Sequence, residues 1–533
     1  MQLLTKQAIR EILQARLDGD SFTSLKTLPH PHTLKDAQKG AKIVQEAMEK
    51  NQKILLVGDY DADGTLGVVI CMSFFARIGY ENISYYIPNR FKDGYGVQPH
   101  IIEQNPCDLV ITIDNGIVAF DVGEYCARHG KTLIITDHHQ LQDALPQADA
   151  IINPQQGDCE FPQKEICGAA VAWYFCNAIK ITLGLQTPMQ DLLKYVAIAT
   201  IADMMPLTHV NKLFVKHGLE SFKASQDTSD MLLKTLLGSP KFRAQDVGFS
   251  ITPLLNSAGR MADASLICKY FLSEDKEECK KIFQELKALN ATRKELVRSM
   301  LDGEKQILEN DSCIIAYREG WSEGVLGILA ANLTDAYQKP AFALSAKDGV
   351  LKGSGRSDGV VDIFQLLLPH QGEFVRFGGH SEAVGITLSK EKLPRLLEIF
   401  STQEKPLVEQ KDEAVLGMLE LGDIDKGLLA LLNEFEPYGQ GNPSPLFLLK
   451  NARIKNARIL KDLHQKLELG GGLHAMEFFA KEFYQKDECV DICFSLQEER
   501  FGAGITLLAT VSYTHLTLPT TVGPCRSRWS PYH

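Results

Sequence analysis

The stretch KILLVGDYDADGTLGVVI (residues 53–70) joins a short apolar run, Ile54–Val57, to an aspartate-rich turn and then to a second apolar run. An uninterrupted apolar run of about four to eight residues is typical of a strand buried on both faces. Three later runs share this character: Leu109–Ile113, Leu133–Ile135 and Ala150–Ile152. Helix-like patterns lie between or after them, at Leu66–Arg77, Ala119–Arg128 and Gly168–Lys180. The alternation predicts βαβ units, a parallel sheet and therefore an α/β fold.

The composition is that of an ordinary globular protein. The chain has 533 residues, of which 44% are hydrophobic and 23% charged, and this excludes collagen-like, coiled-coil and wholly disordered classes. At about 150 residues per domain, the length suggests three or four domains. The formal net charge of −11 argues against a protein that coats itself in nucleic acid through bulk charge, but it leaves a local basic groove open.

The compartment is predicted to be the reducing cytoplasm. The N-terminal residues are polar and amphipathic, unlike a signal peptide, and no run of about 18 apolar residues predicts a membrane span. The 12 cysteines are scattered without a CxxC pair, so neither a disulfide framework nor a zinc ribbon is expected. The closest pair, Cys489 and Cys493, lies in a strand-like region expected to be buried.

Changes in pattern along the chain predict six segments. A highly charged stretch from about Ser273 to Glu309, with Ile307 among its apolar positions at near-helical spacing, predicts a long, partly solvated connecting helix. From about Val415 onwards, short strand-like runs predict a small all-β barrel or sandwich. The segments are a helical N-terminus (1–45), the parallel-sheet domain (46–210), a helical region with the connecting helix (211–310), a second α/β domain (311–405), the β-rich domain (406–511) and an atypical tail expected to be disordered (512–533).

Acidic and imidazole side chains follow three of the predicted strands. Their positions are Asp59, Asp61 and Asp63 after the first, Asp114 after the second, and Asp137, His138 and His139 after the third, while Asp203 follows another apolar run. Because ligands bind at the carboxyl ends of parallel strands, these groups are expected to meet at one edge of the sheet. Carboxylates with one or two imidazoles favour Mn²⁺ or Mg²⁺ over structural zinc. Two such ions about 3.5–4 Å apart would suit phosphate chemistry.

Simpler interpretations exist for each motif alone. A single Asp after a strand is usually a turn residue or a helix N-cap, and a His pair is often a surface feature. The three aspartates of residues 59–63 imitate a calcium loop, but Ile70 stands where such a loop needs its bidentate Glu. Several clusters at matching strand ends are better explained by a metal site.

The ordered motifs resemble those of the DHH phosphoesterases. The resemblance extends from about residue 50 to about residue 510 and is carried by GDYDADG (58–64), ITIDNG (111–116), TDHH (136–139), ATIADMMPL (199–207), LNSAGRM (255–261) and FGGH (377–380). Three further motifs, EGVLGILA (323–330), GSGRS (353–357) and EPYGQGNPSPLF (436–447), are similar to the RecJ single-strand exonucleases of this superfamily. The resemblance implies that 46–210 is the DHH catalytic domain, that 311–405 is the DHH-associated substrate-binding domain, and that 406–511 is an oligonucleotide-binding β-barrel.

The resemblance also implies roles for single residues. Asp61 and Asp63 match the first metal carboxylates, with Asp59 as a neighbouring participant, and Asp114 matches the carboxylate that bridges two ions. His138 matches the metal-binding histidine and Asp203 the fourth carboxylate. His139 belongs to the same catalytic signature as Asp137, where a supporting hydrogen bond is expected for one of them. The reaction implied is attack of a metal-activated water on a phosphodiester, without a covalent enzyme intermediate.

Substrate binding is expected outside the metal cluster. The candidates for holding phosphate are Arg260, Ser354, Arg356, Gly379 and His380, with the alternatives of structural salt bridges, a core histidine and a plain glycine turn. The basic stretch 451–466 contains Arg453, Lys455 and Arg458, which alone would be a solvated charged face. On a barrel of the implied kind, they become a single-strand platform.

The function implied is that of a cytoplasmic, Mn²⁺- or Mg²⁺-dependent 5′→3′ exonuclease on single-stranded DNA in repair and recombination. A single-strand-binding protein and a helicase are the expected protein partners, and no membrane is involved. Two alternatives stay open: a phosphodiesterase for short oligonucleotides or cyclic dinucleotides, and a non-catalytic DNA-binding scaffold. The chain departs from the family at Ser322, where His is common, and at Ala330-Ala331-Asn332, where Ala-Ser-Arg is common.

Overall fold

The computed structural model describes residues 1–17, 22–238, 242–402, 405–407, 415–461, 463–478, 480, 482–498 and 505–512. The predicted tail (512–533), apart from Ser512, lies outside the described residues, so the structure does not test whether it is disordered. Among the residues described, no helix combines the length and the apolar character that crossing a membrane requires.

The N-terminal part of the chain forms a parallel sheet covered by helices. In chain order its elements are α1 (Lys6–Ala15), α2 (Ala37–Glu49), β1 (Ile54–Gly58), α3 (Ala62–Arg77), β2 (Ile83–Tyr86), α4 (Pro99–Gln104), β3 (Leu109–Ile113), α5 (Phe120–Arg128), β4 (Thr132–Thr136), β5 (Ala150–Ile152) and α6 (Gly168–Thr182). The strand order in the sheet is β2-β1-β3-β4-β5, and every pairing is parallel. All residues of β1 and β3 are buried, because helices cover both faces. The predicted α/β class is confirmed.

A helical region follows the sheet. Its helices are α7 (Leu193–Ala202), α8 (His209–Ala224), α9 (Thr228–Lys234), α10 (Ala244–Ser250), α11 (Thr252–Met261), α12 (Ser265–Leu272) and the long α13 (Lys276–Asp302). The sequence predicted a connecting helix over the stretch from Ser273 to Glu309, but the observed helix is shorter and spans Lys276–Asp302. Gly303 ends α13, and Ile307 lies in a strand instead, because residues 306–309 pair with a neighbouring strand.

The second α/β region contains a mixed sheet. Its elements are β6 (Gln306–Glu309), β7 (Ile314–Glu319), α14 (Leu326–Tyr337), β8 (Ala341–Lys347), β9 (Val350–Arg356), α15 (Ile363–Leu367), β10 (Arg376–His380), β11 (Ala383–Ser389) and α16 (Leu393–Thr402). The strand order is β10-β11-β9-β8-β7-β6, so β10 is an edge strand. Its residues are mostly exposed, which leaves the FGGH motif accessible.

The C-terminal region is rich in β-structure. Its elements are β12 (Gly417–Met418), α17 (Lys426–Asn433), β13 (Phe447–Arg453), β14 (Asn456–Leu460), β15 (His464–Gly470), β16 (Leu473–Glu477), β17 (Cys489–Glu498) and β18 (Ile505–Ser512). They form one sheet in the order β12-β13-β17-β18-β16-β15-β14. Cys493 is buried as expected, but Cys489 is exposed because it stands at the first position of β17.

Helix α1 packs against this C-terminal region rather than against the parallel sheet. Ile9 and Leu13 on α1 share one apolar cluster with Leu428 and Leu432 of α17. Two ion pairs flank the cluster, Lys6–Asp425 and Arg10–Glu434, each with a nitrogen–oxygen distance of 2.6 Å. The two ends of the described chain are therefore joined in one module.

Candidate metal centre

The turn after β1 presents its aspartates through a helix cap. Asp61 is the N-cap of α3, and its Oδ1 accepts hydrogen bonds from the backbone N–H of Asp63 at 2.9 Å and of Gly64 at 3.1 Å. Both bonds go to one oxygen, which leaves Oδ2 for another partner. A Cβ on Gly64 would lie 2.5 Å from the backbone N of Asp59, so only glycine permits this tight turn.

The N-terminus of α6 fixes two of the carboxylates. Asp63 accepts hydrogen bonds from the backbone N–H of Gly168 at 2.6 Å and of Ala169 at 2.7 Å. These donors would otherwise be unpaired at the helix end, where the helix dipole also favours a negative charge. A Cβ on Gly168 would lie 2.5 Å from Oδ1 of Asp114, so this glycine lets α6 approach both aspartates.

His138 stands among three carboxylates. Its Nε2 lies 3.1 Å from Oδ1 of Asp114, 3.6 Å from Oδ2 of Asp203 and 3.7 Å from Oδ2 of Asp63. Asp114 follows β3 with a φ of 64°, a left-handed conformation that turns the chain at the strand end. Asp203 reaches the same point from the carboxyl end of helix α7. The carboxyl edge of the sheet and one helix end therefore converge here.

The candidate ligand atoms form three groups that overlap at Asp114 and His138. One group contains Asp59, Asp61 and Asp114, a second contains Asp63, His138 and Asp203, and a third contains Asp114, His138 and His139, with the ligand atoms of each group within 4.8 Å of one another. Asp114 also contacts His138 of the second group. A carboxylate between two groups of ligands is the arrangement that two neighbouring divalent ions require.

The electrostatics of these carboxylates fit a cation site. One oxygen each of Asp59, Asp114 and Asp203 is buried and accepts no hydrogen bond. Burial and then repulsion from Asp61 raise the pKa of Asp59 to about 8 and that of Asp63 to about 7. Burial and neighbouring aspartates also raise the pKa of Asp114 and of Asp203 well above the ordinary value. Divalent ions would remove this repulsion, and oxygen ligands with one imidazole suit Mn²⁺ or Mg²⁺.

The two adjacent histidines differ in protonation. Burial, together with the charge of His139, lowers the pKa of His138 to about 3, so its neutral ring can offer a lone pair to a metal. Burial alone would also lower the pKa of His139, but its hydrogen bond to Asp137 raises it to about 9. The Nδ1 of His139 donates to Oδ1 of Asp137 at 2.7 Å. His139 is thus a cation beside the ligand groups, and Asp137 supplies the supporting hydrogen bond.

Residues of the second α/β region face this centre. In β10, β11 and β9 the strand register places His380, Ala383 and Arg356 side by side. Burial and then the charge of Arg356 lower the pKa of His380, and the charge of His139 contributes to the same shift, so His380 lies within electrostatic range of this histidine. Gly379 has a φ of 148°, and a Cβ there would lie 2.2 Å from the backbone O of Ala383.

Other candidate substrate residues lie in the second α/β region and in α11. Ser354 and Arg356 both face Gly327 in α14, since a Cβ on Gly327 would lie 3.6 Å and 3.2 Å from their side chains. Arg260 ends α11 and donates from Nη1 to the backbone O of Gly324 at 3.3 Å. Ser322 precedes this contact at the start of a short helical turn.

The basic residues of the C-terminal region do not join the metal centre. Arg453 forms an exposed ion pair with Asp487 at 2.9 Å, and Arg458 lies opposite Lys466 across β14 and β15. Lys455 extends beside Gly470. They lie in or beside strands of the third sheet, with Arg453 in β13, Arg458 in β14 and Lys455 between these two strands.

Two residues near the centre were not predicted from the sequence. Asn256 accepts a hydrogen bond from the backbone N of Ala62 at 2.8 Å and so ties α11 to the metal-binding turn. Asn256 lies inside the LNSAGRM motif, so that motif could have indicated this residue. The Arg90 guanidinium lies 4.1 Å above the ring of Tyr60, and its charge opposes the rise in the pKa of Asp59. No motif in the sequence analysis pointed to Arg90.

Comparison with known proteins gives consistent matches along the chain. Residues 53–200 match the DHH family N-terminal domain, 310–405 the DHHA1 domain and 417–510 the RecJ OB domain. The single-stranded-DNA-specific exonuclease RecJ of Escherichia coli is 32% identical over 481 residues, which cover 82% of each chain. The same-named protein of Bacillus subtilis is 33% identical, over 80% of this chain and 56% of that protein. The crystal structure of RecJ with Mn²⁺ from Thermus thermophilus superposes with a TM-score of 0.77 at 26% identity, covering 97% of this chain and 79% of that one.

Proposed function

This chain belongs to the RecJ family of single-stranded-DNA-specific exonucleases, and from that membership we propose that it degrades single-stranded DNA in the 5′→3′ direction with Mn²⁺ or Mg²⁺ as cofactor. The observation that supports this chemistry is the set of three overlapping ligand groups around Asp114 and His138, with buried carboxylate oxygens that accept no hydrogen bond. Bound divalent ions supply positive charge for a phosphodiester and lower the pKa of water.

The residues of this chain hold and orient the reacting groups. Asp59, Asp61 and Asp114 would hold one ion, and Asp63, His138 and Asp203 a second ion that shares Asp114. The cationic ring of His139, kept in place by Asp137, would donate from Nε2 to a phosphate oxygen.

Substrate binding is proposed at two surfaces. Arg260, Ser354, Arg356, Gly379 and His380 surround the cleft beside the ligands and would hold phosphates there. Arg453, Lys455 and Arg458 on the third sheet would hold the strand farther away. Selectivity for single strands would follow from a cleft too narrow for a duplex, and equal cleavage of duplex and single-stranded DNA would contradict this.

The cellular setting extends the same proposal. An exonuclease for single strands suits repair and recombination in the cytoplasm, where a helicase could produce the strand and a single-strand-binding protein could cover it. The described cysteines are all free, which suits a reducing compartment. The scaffold alternative is not supported, since each proposed ligand residue is present. Within the described part of the chain, no feature favours a substrate as small as a cyclic dinucleotide.

End-labelled single strands test both the site and the polarity. Strands labelled at the 5′ or the 3′ end are incubated with Mn²⁺ or Mg²⁺ and either the unaltered protein or the variant Asp114→Ala. The 5′ label should be released first as a mononucleotide, and the variant should leave both strands intact. Unchanged digestion by the variant would refute the assigned site, and first release of the 3′ label would refute the polarity.

A further inference from the structure

A small cavity lies where three parts of the fold meet. Its volume is about 20 Å³, and it is lined by α11, by Arg293 of the connecting helix α13 and by Ile328 of α14 in the second α/β region. From α11 come Thr252, Asn256 and Arg260. The cavity therefore contacts the helical region, its long connecting helix and a helix of the second α/β region at once.

Arg293 is buried without the partners that a buried cation needs. The residue is 2% exposed, and its Nε donates to Oδ1 of Asn290 at 3.1 Å. Its Nη2 is also buried and has no hydrogen-bond partner. Within the described part of the chain, no carboxylate forms an ion pair with it, and burial lowers its pKa. An unpaired buried guanidinium is strongly unfavourable, so another group is expected to complete it.

The other polar groups around the cavity indicate the charge of the group that would complete Arg293. Arg260 brings a second guanidinium to the same space. Oγ1 of Thr252 is buried and has no hydrogen-bond partner either. Arg293, Arg260 and the Thr252 hydroxyl all line the cavity, and each carries an N–H or O–H donor. An anion with several acceptor oxygens, such as a phosphate, matches this set.

The cavity adjoins the metal centre through two short links. Ala202 lines the cavity and immediately precedes the ligand Asp203. Asn256 lines it too and accepts the hydrogen bond from Ala62, which stands between Asp61 and Asp63. A nucleic-acid strand with one phosphate at the metal ligands would carry its other phosphates past this point.

We propose that this cavity is an anion subsite that accepts an oxygen of a phosphate in the DNA strand, and that Arg293 is the residue that binds it. The inference rests on the proposed function, because the anion is then part of the nucleic-acid substrate. Arg293 would make a charge-assisted bond to this phosphate, separate from the contacts of Arg356 and His380 on the second sheet.

The test combines variants of Arg293 with single neutral linkages in the substrate. Arg293→Met removes the charge, Arg293→Lys keeps it, and Arg298→Met is the matched control. Arg298 lies on the same helix, but its side chain is 75% exposed and lies 3.7 Å from Asp302. The substrates are oligothymidylates in which one phosphate, at successive positions, is replaced by an uncharged methylphosphonate. Hydrolysis gives KM and kcat, and anisotropy in EDTA gives binding without cleavage.

For Arg293→Met, we expect KM to rise by about tenfold to a hundredfold, as for the loss of a charge-assisted hydrogen bond. In the unaltered protein, a methylphosphonate at one position should weaken binding, and this penalty should vanish in Arg293→Met. Arg293→Lys should restore part of the affinity, and Arg298→Met should behave as the unaltered protein. The thermal midpoint of Arg293→Met should stay equal or rise, because a buried charge is replaced by an apolar side chain of similar size.

Three results would overturn the assignment. One is a methylphosphonate penalty that is the same in the unaltered protein and Arg293→Met at every position. Another is a lower thermal midpoint of Arg293→Met with an unchanged KM, which would make the arginine purely structural. The third is inhibition by inorganic phosphate that Arg293→Met escapes, with no effect of any methylphosphonate, which would assign the cavity to free phosphate. If oligonucleotides bind in EDTA with the expected position dependence but are never hydrolysed, the proposed function fails and the subsite stands.

Discussion

Replacing Gly168 by alanine should disable the metal centre while leaving the fold in place. An added Cβ would lie 2.5 Å from both Cβ and Oδ1 of Asp114, whereas ordinary contacts begin near 3.4 Å. Either Asp114 or the start of α6 must therefore move by about 1 Å, and α6 also supplies the two N–H donors to Asp63. Both groups of ligands would be displaced together.

The expected effects differ because catalytic turnover and folding stability tolerate a displacement of this size to different degrees. A misplacement of about 1 Å near reacting groups lowers turnover by roughly 100-fold. Overpacking of one methyl group costs about 1–3 kcal/mol of stability, which a chain of this size normally tolerates. We therefore expect kcat to fall by about two orders of magnitude, Mn²⁺ affinity to weaken, and the cooperative unfolding transition to remain.

Calorimetric titration with Mn²⁺ and steady-state hydrolysis of a single strand measure the two effects. Gly157→Ala is the matched control, since a Cβ there meets nothing within 4 Å and the residue lies in the same region. If Gly168→Ala binds Mn²⁺ and turns over substrate like the control, the close approach of α6 does not set the position of Asp114.

Three further changes test other parts of the molecule. Lys194→Met should lower the free energy of unfolding in urea by about 3–5 kcal/mol, because the buried Asp230, 2.5 Å from Lys194, loses the cation that pairs with it and, among the described residues, keeps only the Ser225 hydroxyl; an unchanged midpoint would show that the pair is not needed. Arg458→Gln should reduce the slope of log affinity for single-stranded DNA against log salt by about 0.7, and an identical slope would remove this residue from the DNA surface. Gly379→Ala should raise KM several-fold, because its Cβ would lie 2.2 Å from the backbone O of Ala383 and displace the edge strand beside His380; a normal KM would argue against substrate contact at β10.

The convergence of the candidate ligand residues could be predicted from the sequence, because parallel strands all end at one edge. Asp61, Asp114 and His138 follow apolar runs, so their convergence is a consequence of topology. The sequence did not predict that Asp203 follows a helix, because an apolar run before a carboxylate does not distinguish helix α7 from a strand. Strand β2 was missed because its residues are only half-buried at the sheet edge and lack a continuous apolar run.

Features that depend on packing between segments far apart in the sequence could not be predicted. The pattern around Arg293 indicates a solvated helix, since charged residues in such a stretch normally face water, and only the position of α11 makes this arginine buried. Likewise, nothing in the local pattern of α1 indicates that it packs on α17. Removal of the C-terminal region would uncover Ile9 and Leu13, so single substitutions such as Arg458→Gln test DNA binding more cleanly than a truncation.

Because α1 packs on α17, the apolar face of α1 can be covered only after α17 has been synthesised. Lys6 and Asp425 are 419 residues apart in sequence, and at about 5–20 residues per second the ribosome needs roughly 20 to 80 s to make the intervening chain. Throughout this time the parallel sheet can fold while the apolar stripe of α1 remains uncovered. The apolar stripe of α1 is therefore covered only after the C-terminal module has emerged.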